Sequence, residues 1–149
     1  MRRSSQAITV TAATTFVAFA MIATPSLVLA ASPHFIGTPT CTTGSSGATK
    51  TITCSGKIAG LGNVSTVSAQ LVATANSQCT NRGGNLPPGQ QQVAGMPATL
   101  QVSNGQTVFT LGLSASANCP PPQVGSVTFT NVGVVVGGTA LPIPGTFDP

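Results

Sequence analysis

Apolar and polar residues alternate in several short runs along this chain. The clearest runs cover residues 49–58, 64–75, 98–103, 106–113 and 126–136. Such alternation is typical of β-strands, because a half-buried strand places every second residue in the core. No run repeats at helical spacing, and Gly, Pro, Ser, Thr and Asn recur too often for long helices. We therefore expect an all-β fold.

One pair of runs carries a strong turn signal. Asn104 and Gly105 stand between the runs 98–103 and 106–113. A two-residue type I′ turn requires positive φ at both central residues, and Asn-Gly meets this requirement best. We expect these two runs to pair as a hairpin and to direct their apolar side chains into the same core.

The last run changes phase part-way along. It begins with Val127 and Phe129 facing inward, and the alternation is lost near Asn131 and Gly133, which indicates a β-bulge. The following segment, residues 132–136, is apolar and uncharged. It fits either a core strand or an exposed edge that pairs with another subunit, and the edge alternative would permit self-association.

Together these runs favour a compact antiparallel β-sandwich of immunoglobulin-like architecture with about six to seven strands. A barrel is the alternative. Residues 35–41 are a further candidate edge strand, and the Gly- and Pro-containing segments 77–95 and 114–125 are expected to be loops. We place the sandwich domain at residues 31–136 and an extended Gly/Pro-containing tail at residues 137–149.

The first thirty residues are typical of a secretory signal peptide. Arg2 and Arg3 precede a long uncharged stretch, and small residues lead up to Ala30. We expect cleavage after Ala30, with cleavage after Ala31 as the second choice and a retained membrane anchor as the alternative. The sequence therefore predicts a secreted protein, extracellular or at the cell surface, with no stable membrane insertion after cleavage.

All four cysteines follow the predicted cleavage site. An even number of cysteines in a secreted chain favours disulfides, whereas a zinc site would need closely spaced pairs that this chain lacks. Three pairings are open. We favour Cys41 with Cys54 and Cys79 with Cys119, because sequential pairs suit neighbouring strands.

Few side chains remain that could do chemistry. After the predicted signal, the charged residues are Lys50, Lys57, Arg82 and Asp148, and His34 is the one histidine. Trp and Tyr are absent, and Asp148 is the one acidic residue of the chain. Glycosidase chemistry needs two carboxylates, and nucleic-acid binding needs clustered basic residues. We predict no catalytic residue, no cofactor, no metal ion and no nucleic acid.

One segment, CTNRGGNLPPGQ from Cys79 to Gln90, resembles a known loop. The loop, C-x-N-x-G-G-N-x-x-P-G, belongs to small secreted bacterial β-sandwich proteins of unknown function. The matching positions are Cys79, Asn81, Gly83, Gly84, Asn85, Pro88 and Gly89. The resemblance covers this segment alone and implies no activity. Asn81, Arg82, Gly83, Gly84 and Asn85 form either a structural turn or a recognition loop.

These observations favour a protein that acts by contacting other proteins over an enzyme. We expect a secreted non-enzymatic structural, cell-surface or matrix protein that acts through protein–protein contacts, with a second copy or another surface protein as its partner. Nearly neutral faces rich in Thr, Ser and Asn would permit such contacts. The alternative is a secreted binding module for a glycan or a host protein.

Overall fold

The computed structural model describes residues 32–81, 83–85 and 89–149. The predicted signal peptide, residues 1–30, lies outside the described residues. The described residues form strands and connections in two antiparallel sheets. The predicted all-β sandwich with two disulfides is therefore confirmed.

Five of the described strands follow the alternating runs, and four others lie outside these runs. In chain order they are β1 (His34–Ser46), β2 (Thr49–Ala59), β3 (Thr66–Asn81), β4 (Gly84–Asn85), β5 (Gly89–Ala94), β6 (Ala98–Gln101), β7 (Thr107–Ser116), β8 (Val124–Val136) and β9 (Thr139–Pro142). The first sheet has the order β1-β2-β7. In the second sheet β3 is central: β8 lies on one side, and β4, β5 and β6 pair with successive parts of β3 on the other. β9 pairs with the far side of β8.

The core lies between the two sheets. Every second residue of β7 is buried from Thr107 onwards, which is the pattern of a strand with one face in the core and the other exposed to solvent. The largest fully buried side chains come from both sheets and the connection after β2: Phe129, Ile52, Ile58, Leu61, Leu71, Val132, Val134 and Val136. β3 contributes small buried residues, among them Ala69, Ala73 and Ala75, and these allow the first sheet to pack closely against the second.

Both disulfides have the expected pairing. Cys41 and Cys54 are directly paired residues of β1 and β2, so the first disulfide joins the edge strand to its neighbour. Cys79 near the end of β3 is bonded to Cys119 in the connection between β7 and β8. The second disulfide therefore holds that connection against the second sheet.

The turn at Asn104 and Gly105 is confirmed, but the hairpin is not. Both residues have positive φ, 52° and 70°. Ser103 and Gln106 exchange two main-chain hydrogen bonds of 2.9 and 3.0 Å across the turn. Beyond this pair the strands separate, because β6 pairs with β3 and β7 pairs with β2. The expected pairing of 98–103 with 106–113 is wrong: the chain crosses from one sheet to the other here.

The bulge near Asn131 is confirmed. Asn131 has φ of 50°, and the register of β8 against β3 shifts there by one extra residue. Val127 and Phe129 before the bulge and Val132 and Val134 after it are all buried. The extra residue restores the inward phase, because successive strand residues point to opposite faces.

The prediction of a loop over residues 77–95 is wrong for most of that segment. β3 continues to Asn81, and β4 and β5 lie within the segment. All but one of the β5 side chains are exposed, so the sequence of this strand does not alternate. Main-chain pairing with β3 holds β5 in place, so its sequence shows no alternation from which the strand could be predicted.

The expectation of a separate tail over residues 137–149 is also corrected. β9 belongs to the second sheet, and Leu141 and Ile143 are buried in the core. Further on, Phe147 exchanges main-chain hydrogen bonds of 2.8 and 2.9 Å with Phe129. The prolines and glycines of this segment are compatible with a short edge strand. Because the same composition is also typical of a tail, it did not indicate β9.

The segment 132–136 does not form an exposed edge. β3 pairs with it on one side and β9 on the other. The side chain of Val134 is 0% exposed. The core-strand alternative is therefore the correct one, and strand addition at this segment is excluded.

Candidate interaction surface

The described residues of the segment from Cys79 to Gln90 form the end of β3, the short strand β4 and the start of β5. Thr80 pairs with Asn85 and Asn81 with Gly84, so the chain reverses through Gly83. Arg82 and residues 86–88, which include Pro88, lie outside the described residues. The structure describes main-chain pairing here, and the choice between a structural turn and a recognition loop stays a prediction.

The one histidine and the one acidic residue of the sequence lie near opposite ends of the described chain. His34 begins β1, and its Nδ1 atom lies 3.0 Å from the main-chain oxygen of Ser32. The main-chain oxygen of Asp148 accepts a 3.0 Å hydrogen bond from the Thr43 hydroxyl. Within residues 32–81, 83–85 and 89–149, no hydrogen bond or ion pair joins His34 to Asp148. That same part of the chain contains no cluster of three potential metal ligands.

The outer surface of the β1-β2-β7 sheet is chemically uniform. Because Cys54 and Leu111 point into the core, the alternate residues of these strands point to solvent. The register aligns them in four rows: Thr40, Ser55 and Thr110; Thr42, Thr53 and Gly112; Gly44, Thr51 and Ser114; Ser46, Thr49 and Ser116. Every position is a hydroxyl residue or glycine. We call this surface the hydroxyl face.

The hydroxyl face has regular spacing and no charge. Neighbouring strands lie about 4.8 Å apart, and residues two apart on one strand lie about 6.7 Å apart. Lys50 lies on the other side of β2, where its ammonium donates to the Ser45 hydroxyl. Lys57 borders the face at one end, in a row with Ile36 and Val108 that are 43% and 70% exposed. The surface therefore suits a neutral partner.

Neighbouring side chains restrain the hydroxyl face. The hydroxyl oxygens of Thr40 and Ser55 lie 3.2 Å apart, as do those of Thr49 and Ser116. A Cβ at position 44 would lie 2.8 Å from the Thr51 hydroxyl oxygen, so glycine at this position leaves space for the Thr51 side chain. Side chains that are already ordered lose less conformational entropy when a partner binds.

A polar pocket of about 410 Å³ adjoins the hydroxyl face beyond Lys57. Its lining includes Gln101, Ser103, Asn104 and Gln106 from the β6–β7 turn. Amides and hydroxyls of this kind both donate and accept hydrogen bonds. The pocket could hold a small polar group.

The outer surface of the second sheet differs in character. The Thr74 hydroxyl accepts hydrogen bonds from Gln92 at 2.9 Å and from Asn131 at 3.4 Å, and Asn76 donates to Thr130 at 2.9 Å. Each of these amides donates to a neighbouring threonine hydroxyl, so part of their hydrogen-bonding capacity is already used within the protein. A mostly apolar groove of about 500 Å³ lies beside them, lined by residues of β3, β8, β9 and the segment that follows β9.

The alternation indicates Thr- and Ser-rich polar faces, but the hydroxyl face cannot be assembled from sequence alone. Its rows depend on β1, β2 and β7 being neighbours, and β7 comes from a part of the chain that the turn signal assigned to a different partner. The usable signal is the alternation of Thr51 and Thr53 with the apolar residues Ile52 and Cys54.

Comparisons with protein-family models, with curated proteins and with solved structures found no match to this chain. In residues 32–81, 83–85 and 89–149, no helix is long and apolar enough to cross a membrane.

Proposed function

We propose that this protein is a secreted, non-enzymatic structural component of a cell surface or extracellular matrix, and that it acts through protein–protein contacts. The observation that carries the proposal is the hydroxyl face. It is broad, restrained and uncharged, and glycines stand where larger side chains would disturb it. Such a surface offers hydrogen bonds and methyl groups to a partner and no group that performs chemistry.

The scaffold supports an extracellular location. Two disulfides are compatible with an oxidising compartment, and residues 1–30 have the pattern of a signal peptide. A disulfide between adjacent strands holds the edge of the same sheet that bears the hydroxyl face. A contact protein gains from this rigidity, because a preordered surface binds at lower entropic cost.

A glycan-binding module is the second candidate, favoured by the polar pocket beside Lys57. Its Gln101, Asn104 and Gln106 amides are placed at one end of the hydroxyl face. Amides hydrogen-bond sugar hydroxyls readily, although the described surface offers no Trp or Tyr ring for a sugar to stack on. A neutral oligosaccharide that spans the pocket and the first rows of the face would suit this chemistry.

The experiment that separates the two candidates is co-sedimentation of the exported protein with envelope material from the producing cells. We expect saturable binding that is lost after the envelope is treated with protease. Binding that survives protease and is lost after periodate oxidation of sugars would favour the glycan module. Protein that stays in the supernatant under all conditions would contradict the surface role.

A further inference from the structure

Two sheets in one sandwich leave several strand edges, and most of them are covered or interrupted. The free side of β7 is approached so closely by Gly95 that a Cβ there would lie 2.1 Å from the Gly112 oxygen. β9 is short and contains Pro142, with Pro144 following. β4, β5 and β6 are short pieces beside β3. Proline, close cover and short length are common protections of strand edges.

β1 is different in its second half. Residues 37–39 interrupt its pairing with β2 and include Pro39, but from Thr40 to Ser46 the register runs without a break. This part contains no charged residue and no proline. Within the described residues, its main-chain groups make no hydrogen bond to any segment other than β2. The end of the chain touches this part of β1 where the Thr43 hydroxyl donates to the main-chain oxygen of Asp148. That contact uses a side chain of β1, so the main-chain groups that point away from β2 remain available to another strand.

We propose that β1 pairs antiparallel with β1 of a second copy of this chain, around a two-fold axis near Thr43. An antiparallel strand is complementary to itself, so one edge can serve both partners. The two β1-β2-β7 sheets would join into one six-stranded sheet. The hydroxyl faces would lie side by side on the same surface, which doubles the proposed contact area; this inference thus rests on the proposed function.

Charge and size set the strength expected of this dimer. Thr40 to Ser46 brings no like charges together, so little repulsion opposes the pairing. A single short edge buries less than the roughly 1,200–2,000 Å² of a standard interface. The dimer should therefore be weak, with dissociation at roughly 0.1 mM or above. Binding to a repetitive partner would strengthen it, because both faces would engage together.

Sedimentation equilibrium of the exported protein over a wide concentration range tests the dimer. We expect the average mass to rise from monomer towards dimer. The double variant Thr40→Lys with Thr42→Lys places charges on the edge strand and should weaken dimerisation at least about tenfold. The matched control is Thr51→Lys with Thr53→Lys, which adds the same charge to the same face one strand inward and should dimerise like the wild type.

Hydrogen exchange locates the interface without any substitution. Amides of residues 40–46 should become protected as the concentration of the wild-type protein rises. Protection at residues 124–128 instead, where β8 pairs with β3 and not with β9, would overturn the assignment to β1. A wild type that stays monomeric would overturn the dimer. Because envelope co-sedimentation is measured independently, a monomer that still binds the envelope would refute this inference and leave the proposed function standing.

Discussion

At the residue scale, Gly105 occupies a backbone conformation that few residues adopt. Its φ is 70°, and a Cβ at this position would lie 3.3 Å from the Gly62 oxygen. We expect Gly105→Val to lower the free energy of unfolding by more than about 1 kcal/mol, because a β-branched residue is strained at positive φ. Chemical denaturation measures this loss. Asn104→Gly is the control and should be tolerated; an unchanged midpoint for Gly105→Val would contradict the turn.

Val134 shows how completely the middle of β8 is enclosed. Its side chain is 0% exposed between two paired strands. Val134→Lys would bury an ammonium group without a partner, so we expect a loss of more than about 3 kcal/mol or an unfolded protein. Circular dichroism follows the outcome. The neighbouring Val135 points outward, so Val135→Lys should remain folded. If the two variants behaved alike, the assignment of Val134 to the core face and Val135 to the outer face would be refuted.

At the element scale, the bulge in β8 sets the facing of a whole strand. Without Asn131, either Val127 and Phe129 or the buried Val132, Val134 and Val136 would turn towards solvent, since a slip of one residue reverses every side chain. We expect deletion of Asn131 to prevent stable folding, whereas Asn131→Gly keeps the positive φ and should fold. Thermal unfolding compares the two, and a deletion variant as stable as the wild type would show that the bulge is not needed.

Local alternation predicted which segments form strands where one face is buried. It found β2, most of β3, β7 and β8, together with the phase change at Asn131. In these strands one face is buried, so apolar and polar residues alternate in the sequence. It missed β5, whose side chains are nearly all exposed, and β9, because Pro142 and the following Pro144 are typical of an extended tail. β5 is held mainly by main-chain pairing, which leaves no side-chain pattern, and the two buried residues Leu141 and Ile143 are too few to indicate a strand at β9.

Partner choice was harder to predict than strand location. The Asn104-Gly105 turn is tight, yet β6 and β7 enter different sheets directly after it. The same limit hid the hydroxyl face, which exists because Thr40, Thr51 and Ser114 come from strands that are distant in sequence and adjacent in space. Local sequence fixes a residue's side of its strand, and long-range pairing decides what it lies beside.

At the scale of the whole molecule, the disulfides restrain loops of different length. The sequence separations are 13 for Cys41–Cys54 and 40 for Cys79–Cys119. On the chain-entropy argument, replacing the first pair by alanines should cost about 3 kcal/mol and replacing the second about 4 kcal/mol. Urea denaturation of each double variant measures the difference. A larger loss from the first pair would mean that strand-edge packing outweighs loop entropy.

The central claim is that the hydroxyl face makes the contacts through which this protein works. Quantitative co-sedimentation with envelope material tests it most directly when two double variants of equal charge are compared. Thr51→Lys with Thr53→Lys places charge in the middle of the face, and Gln78→Lys with Thr80→Lys places it on β3, outside the hydroxyl face. The account predicts at least about tenfold weaker binding for the first variant and wild-type binding for the second. Equal binding by all three proteins would contradict it.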